Sequence, residues 1–489
     1  TSMNRPIRKV AYAITFLVLL LVAQLTYLQV VDANKLANDP RNARKAESEY
    51  NHARGNIETA DGTIVAKSVP TTGDFKYLRQ YPQSDLFAEV SGYQSFVDLV
   101  GKSGVEATYN KVLTGRDTSL QLSNLGDLLN GKANTNNVVL SLTQAAQQAA
   151  KDALGGQKGS VVALDVKTGA VLAMYSNPSY DPNGLSVHDS QKVQTTYNAI
   201  TSPLFGEPAK ARAYTLRYPP GSTFKVITSK SAIETGLATP DQPVFADSDS
   251  FKIPGVTKPL FNFGREVCGG SLLESLVVSC NATFAALGYQ LNDKFPPQME
   301  TCGINHQPPI DLEPSAVVSV GPQVGADKAR FALAGIGQGD VFTSPLQMAL
   351  IAAGIANGGV IMQPHVVKEI TNTDGKTVRT IDPQPWTTCM SPQTSAALTG
   401  MMVDVVQRGT GIAAQIDGVT VAGKTGTAQT SPDKPPHAWF IAFAPAEAPR
   451  YAVAVLVENG GAYNETATGG AVAAPVAKQV LQALLATNP

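Results

Sequence analysis

From Val10 to Val31 the chain carries no charged residue, and this run constrains it before any other. A helix rises about 1.5 Å per residue, so one laid over this run matches a hydrocarbon core of roughly 30 Å and is predicted to cross a membrane once. Arg5, Arg8 and Lys9 precede it and Asp32 follows. The positive-inside rule then places residues 1–9 in the cytoplasm and the chain after Asp32 outside the cell membrane. A cleaved signal peptide is the competing reading, but its apolar region usually spans only about 7–15 residues.

Composition bounds what lies beyond the anchor. The 489 residues are 43% hydrophobic and include 42 glycines and 32 prolines, which suits a large folded domain plus a smaller module. A formal net charge of -1 gives no global basic field, so no nucleic-acid partner is expected. His52, His188, His306, His365 and His437 are scattered, and no Cys or His pair has zinc-ligand spacing. Neither a metal nor another cofactor is expected. Cys268, Cys280, Cys302 and Cys389 allow three complete pairings outside the cytoplasm. Cys268 with Cys280 closes the shortest loop, and buried free thiols remain an alternative.

Along the chain, Asp32 to about Asn51 reads as a polar juxtamembrane linker. Arg54 to Ala66 reads as two short strands around Asp61-Gly62, with Gly101 to Glu106 as an interruption further on. Residues 32–135 form a small mixed module, and the Asn-rich stretch Asn130 to Asn137 marks its end. In the large domain, residues 136–489, Ser141 or Thr143 caps a helix that stops at Gly155-Gly156. Val161–Val166 and Ala170–Tyr175 flank Lys167-Thr168-Gly169 as a hairpin. Helical patterns follow from Ser222 to about Gly236 and from Ser271 to Leu291. Strand signals return at Val419–Val421, Ala438–Phe443 and Tyr451–Val457. A closing helix carries Val472, Val476, Val480, Leu484 and Leu485 on one face. The order predicts an α/β (α+β) domain whose single sheet is built from both of its ends.

The chemistry concentrates at Tyr218-Pro219-Pro220-Gly221-Ser222-Thr223-Phe224-Lys225. Two prolines and a glycine halt the chain, and the apolar spacing after Ser222 is helical, so Ser222 is expected to open a helix with Lys225 one turn on. A neutral Lys225 can serve as base for the Ser222 hydroxyl if desolvation or a second cation lowers its pKa. The spacing alone is weak evidence, because Ser431-Pro432-Asp433-Lys434 repeats it in a proline-rich loop. Lys-Thr-Gly also occurs twice. Lys167-Thr168-Gly169 fits a turn, whereas Lys424-Thr425-Gly426-Thr427 lies beside strand signals and could bring the second cation, Lys424, to the cleft. Ser279 and Asn281 are two residues apart and share no helix face, so both reach one cleft only from a turn between helices. The bland alternative is that Asn281 caps a helix from Ala282 to Leu291.

Ser-x-x-Lys, Ser-x-Asn and Lys-Thr-Gly, in that order, resemble the motif set of penicilloyl-serine transferases, the penicillin-binding proteins and serine β-lactamases. Asn177–Asn183, Gly337-Gln338-Gly339 with Ser344–Ala349, and His437–Phe440 extend the resemblance over residues 136–489. Arg54-Gly55 and Gly101–Glu106 are similar to the N-terminal dimerisation or pedestal module of class B members, and the compact size is similar to actinobacterial ones. The resemblance implies a central antiparallel sheet flanked by helices, with an all-helical lobe. It implies a peptidoglycan D,D-transpeptidase that works through a serine acyl-enzyme in growth and division and is acylated by β-lactams. Ser222 would be the nucleophile, Lys225 the base, Ser279 a proton relay and Asn281 a holder of the substrate amide. Backbone N–H groups of Ser222 and Thr427 would form the oxyanion hole. Lys424, Thr425, Gly426 and Thr427 would meet the substrate and its carboxylate, and His437 is expected to be structural.

Peptidoglycan stem peptides and a membrane glycan polymerase are the partners so implied, the latter met through Val10–Val31 and the N-terminal module. A membrane-bound D-alanyl-D-alanine carboxypeptidase or a serine β-lactamase shares the motifs. A β-lactam sensor or division scaffold is the non-enzymatic alternative.

Overall fold

The protein is represented by a computed structural model that describes residues 4–32, 49–73, 75–121, 135–431 and 433–487. Helix α1, Asn4–Thr26, continues as a π-helical segment over Tyr27–Val31. The stretch Ile7–Val30 reaches a mean hydropathy of 2.0 and stands free of the rest of the chain. Among the described residues it is the one helix long and apolar enough to cross a membrane. Residues 33–48 of the linker expected over Asp32–Asn51, and residues 130–134 of the Asn-rich stretch, lie outside the described residues, while Glu49 and Tyr50 at the linker's end are buried.

Strands β1, Ile57–Glu58, and β2, Ile64–Pro70, pair antiparallel around Asp61-Gly62, and β3, Tyr77–Gln80, lies on the far side of β2. The centre of this module is a charge that the sequence pattern concealed. Glu106, on the short helix α2 (Gly104–Thr108), is fully buried, with Arg54 Nη2 2.7 Å and Arg79 Nε 2.5 Å from its carboxylate. The stretch that reads as an interruption, and that with Arg54-Gly55 resembles the class B module, therefore supplies a buried anion. Burial pushes the Glu106 carboxyl up, but the two guanidiniums outweigh it and hold the group below its ordinary value.

Strand β4, Asn137–Leu140, pairs parallel with β1 and antiparallel with the later strand Val367–Thr371, so one sheet joins the small module to the large domain. Helix α3, Gln144–Leu154, is capped by Thr143, whose hydroxyl accepts from Ala146 N–H. Ser141, the other candidate cap, instead donates to Val171 O at 2.7 Å. Strands β5, Gly159–Asp165, and β6, Val171–Asn177, form the expected hairpin, and Asp165 Oδ1 accepts the Lys167 and Thr168 N–H groups in its turn. The first Lys-Thr-Gly is thus a turn.

The helical lobe contains α4, Lys225–Glu234, α5, Leu272–Val277, and α6, Asn281–Leu291. Helix α7, Pro345–Ala356, is buried all round because it lies between the sheet and α8, Pro392–Arg408. Strands β7, Ala422–Ala428, β8, His437–Ala444, and β9, Tyr451–Val457, return to the hairpin in the antiparallel order β7-β8-β9-β5-β6. The sheet is therefore made from both ends of the domain. Helix α9, Ala474–Thr487, covers its other face beside α3 through Val476, Val480 and Leu484. Val472 lies just ahead of α9 in a π-helical turn.

One strand expectation needs correcting. Val419–Val421 does not form the strand: Val419 bridges back to Ile416 around Gly418, and β7 begins at Ala422. Branched residues flagged the flank of a tight turn. The strand itself is built from small residues, since a Cβ on Gly423 would stand 2.6 Å from the Phe440 ring. Both cysteine pairs are closed, as Cys268–Cys280 and Cys302–Cys389.

Glu106→Gln leaves two buried guanidiniums without a carboxylate. It is expected to lower stability by about 3–5 kcal/mol, read as a lower unfolding midpoint in denaturant. An unchanged midpoint would remove Glu106 from the centre of the module.

Candidate active site

The approach Tyr218-Pro219-Pro220-Gly221 delivers Ser222 into a 3-10 turn, Gly221–Phe224, and α4 begins only at Lys225. Ser222 therefore precedes the helix by a turn, where the sequence placed it at the helix start. The prolines have no N–H to offer a helix, and Gly221 adopts φ +54°. A Cβ on Gly221 would stand 2.6 Å from Thr427 O, and one on Gly426 would stand 2.8 Å from Thr223 Cγ2. These two glycines let β7 lie directly along the serine turn. A third, Gly337, accepts the Gly221 N–H at 3.0 Å, and its own φ of +69° is open to glycine. Gly337-Gln338-Gly339 was visible as a motif, but its role as a prop under the turn was not.

Lys225 is fully buried and points from α4 at the turn between α5 and α6. Its Nζ lies 2.6 Å from Ser279 O, 2.7 Å from Asn281 Oδ1 and 3.2 Å from Ser279 Oγ. Ser279 reaches this position at φ +62°, a left-handed conformation that non-glycine residues rarely adopt. The turn expected between helices is present and explains how residues two apart face one cleft. Cys280, rather than Asn281, occupies the N-cap position of α6. Asn281 is the first helical residue, and its amide is engaged by Lys225 on one side and Phe261 O, at 3.1 Å, on the other.

Lys424 arrives from β7, fully buried, with Nζ 3.0 Å from Ser279 Oγ. Ser279 Oγ thus lies between two lysine nitrogens. Thr425 is held by Thr410, hydroxyl to hydroxyl at 2.7 Å, a partner that sequence reasoning missed because nothing marks Thr410 as special. Thr427 is half-exposed, and its hydroxyl accepts weakly from Gly469 N–H at 3.4 Å. All the expected site residues, Ser222, Lys225, Ser279, Asn281, Lys424, Thr425, Gly426 and Thr427, come together on three elements.

Burial lowers both lysine pKa values. Lys424 falls to about 7, and Lys225 falls well below its ordinary value through burial and then the neighbouring Lys424 charge. A neutral Lys225 has two N–H bonds, which Ser279 O and Asn281 Oδ1 accept, and its lone pair is left to receive a proton. The arrangement can deprotonate a hydroxyl and hold an anion beside it.

The decoys separate cleanly. Ser431 and Lys434 sit in the loop between β7 and β8, outside this cluster. His437 is buried at the head of β8, where Nδ1 accepts Asn459 N–H at 3.0 Å and the ring packs edge-on against Tyr218. Burial lowers its pKa and favours the neutral imidazole that this acceptor role requires.

Residues 159–482 match the penicillin binding protein transpeptidase domain family, and residues 54–139 match the penicillin binding protein A dimerisation domain. The chain belongs to the penicillin-binding protein transpeptidases. It is 41% identical to the peptidoglycan D,D-transpeptidase PbpA of Mycolicibacterium smegmatis, over 99% of each chain. Its identity to PbpA of Mycobacterium tuberculosis is 39% over the full length of both. It also superposes on the penicillin G acyl-enzyme complex of penicillin-binding protein A from M. tuberculosis with a TM-score of 0.81. That match covers 89% of this chain and 100% of the other, at 37% identity. These relatives place this penicillin-binding protein in class B, with the mixed α/β fold that its motifs imply.

If the Lys424 charge helps to keep Lys225 neutral, Lys424→Gln raises the Lys225 pKa. The acid limb of the pH profile for penicillin acylation is then expected to move to higher pH. An unmoved limb, or one moved to lower pH, refutes the coupling.

Proposed function

We propose that this penicillin-binding protein is a peptidoglycan D,D-transpeptidase that cross-links stem peptides through an acyl-enzyme on Ser222 and is acylated at the same atom by β-lactams. The observation that carries the assignment is the buried Lys225, whose contacts leave it able to act as a neutral base one turn from Ser222. The curated mycobacterial relatives carry the same activity in their names.

In this reading Ser222 Oγ attacks the penultimate D-alanine carbonyl, and its proton passes to Lys225. The N–H groups of Ser222 and Thr427 stabilise the tetrahedral oxyanion, because β7 lies beside the serine turn. Collapse breaks the peptide bond, and the departing D-alanine nitrogen takes the proton back through Ser279. Ser279 suits that relay, lying 3.2 Å from Lys225 and 3.0 Å from Lys424. Asn281 aligns the substrate amide with the second hydrogen of its NH₂. Lys424, Thr425 and Thr427 meet the terminal carboxylate, with Gly426 keeping the strand close to the turn. An amine of a neighbouring stem then attacks the ester, releases Ser222 and forms the cross-link. A β-lactam opens by the same attack, but its leaving nitrogen stays tethered and the adduct persists.

The Val10–Val31 run anchors the protein in the cell membrane with its N-terminus in the cytoplasm and its catalytic domain outside. The length and hydropathy of the helix and the basic residues ahead of it support this placement. A membrane glycan polymerase supplying nascent strands would meet this helix and the N-terminal module.

Fluorescent penicillin with the full-length protein tests the assignment. A long-lived adduct that disappears in Ser222→Ala is expected. Release within seconds would favour a β-lactamase, and labelling that survives in Ser222→Ala would sink the nucleophile assignment.

A further inference from the structure

Behind the serine turn lies a second buried polar cluster that the chemistry above does not use. Glu458 follows β9 and is 9% exposed. Its Oε1 accepts from the Tyr218 hydroxyl at 2.8 Å and from Arg212 Nε at 3.1 Å, and Lys158 Nζ lies 3.3 Å from Oε2. Arg212 is itself buried and turns its remaining donors to the Gly206, Glu207 and Lys210 carbonyls. Burial and the Glu458 charge hold the Tyr218 phenol above its ordinary pKa, so it stays a donor.

Tyr218 is where the serine turn departs. Its N–H and C=O each bond to Thr343 at 2.8 Å, and its ring packs edge-on against His437 and Trp439. Trp439 in turn donates from Nε1 to Pro219 O at 3.0 Å. These contacts fix the strand-like approach from its sides. The phenol bond ties it directly to Glu458 at the end of β9, at the middle of the sheet that also carries Lys424. A buried carboxylate that served only the fold would not need to be aimed at a side chain four residues from Ser222.

We propose that Glu458, held by Arg212, is a positioning residue for the acylation step, acting on Ser222 through the Tyr218 hydroxyl. The inference rests on Ser222 being the acylated residue. A nucleophile has to be held within about 0.5 Å of its productive place, and a misplacement of about 1 Å is enough to slow a reaction about a hundredfold. Substrate or β-lactam binding depends on β7 and the Ser279–Asn281 turn, which Glu458 does not touch. Losing the clamp should therefore slow acylation without weakening the complex that precedes it.

The test is single-turnover acylation of the full-length protein by fluorescent penicillin, resolved into non-covalent affinity and acylation constant, at a temperature well below the unfolding midpoints. Tyr218→Phe keeps the ring and removes the bond, Glu458→Gln keeps an acceptor, and Glu458→Ala removes it. Tyr218→Phe and Glu458→Ala are each expected to lower the acylation constant about ten- to a hundredfold at unchanged affinity. Glu458→Gln should recover part of the loss. The double variant Tyr218→Phe/Glu458→Ala should be no slower than the slower single one, since both break one contact.

Should Glu458→Ala fail to fold, Tyr218→Phe and Glu458→Gln decide the matter. Parental acylation by Tyr218→Phe overturns the proposal, as does a loss of affinity with the constant intact, or multiplying effects in the double variant. Labelling in Ser222→Ala would instead overturn the nucleophile assignment on which the proposal rests.

Discussion

Two lysine side chains are buried within hydrogen-bonding reach of a single hydroxyl, Ser279 Oγ. Nothing about chain folding favours this, because each ammonium loses its hydration and no carboxylate among the described residues offsets the loss at either of them. The conflict is relieved by losing charge. Burial and then the Lys424 charge both push Lys225 toward the neutral amine, whose two N–H groups Ser279 O and Asn281 Oδ1 can accept. Burial therefore lowers the basicity of Lys225 but keeps the free amine available nearer neutral pH, as a base for a neighbouring hydroxyl must be.

Holding that arrangement requires three elements from distant parts of the chain to approach more closely than ordinary side chains allow. Glycine supplies the space. Gly221 and Gly426 bring β7 against the serine turn, and Gly337 props the turn from below. The left-handed Ser279 supplies direction, turning its own side chain into the cleft where a helical residue would point away. The Cys268–Cys280 bond and the Asn262 side chain, whose Oδ1 accepts Ala282 N–H at 2.8 Å, hold the start of α6 in place. The cleft is built from backbone permissiveness on one side and covalent restraint on the other.

That division explains what could be read from the sequence. Motif residues have few permissible neighbours, so the grouping of Ser222, Lys225, Ser279, Asn281 and Lys424 was legible from spacing and order, and the hairpin with β8 and β9 from apolar runs rich in branched residues and, for the hairpin, a turn signal between them. Val419–Val421 misled because β propensity marks residues that fill a pleated surface, whereas β7 had to be small enough to lie against its neighbours. The buried ion pairing of Glu106 and Glu458 was hidden for the opposite reason. A lone acidic residue in sequence looks like a solvated one, and only the folded chain shows that Arg54 and Arg79, or Tyr218 and Arg212, converge on it. Thr410 escaped in the same way, since its partner Thr425 lies on another element.

The same convergence binds the small module to the large domain. β4 is shared between them through β1 and Val367–Thr371, and Tyr109 from the module donates to Asp311 Oδ2 at 2.7 Å. Asp311 also accepts the Val366 and Val367 N–H groups, while burial lifts its pKa. Nearer the active site, Glu89 of the module accepts from Ser176 Oγ at 2.7 Å and from Ala213 N–H at 3.1 Å. Ala213 is the neighbour of Arg212, which grips Glu458, which holds Tyr218. Buried polar contacts, joined by the Arg212–Ala213 peptide link, therefore run from the module to Tyr218, at the approach to the turn that carries Ser222. Because each member would be left desolvated and unpaired if its neighbour moved, the module and the nucleophile cannot shift independently without cost.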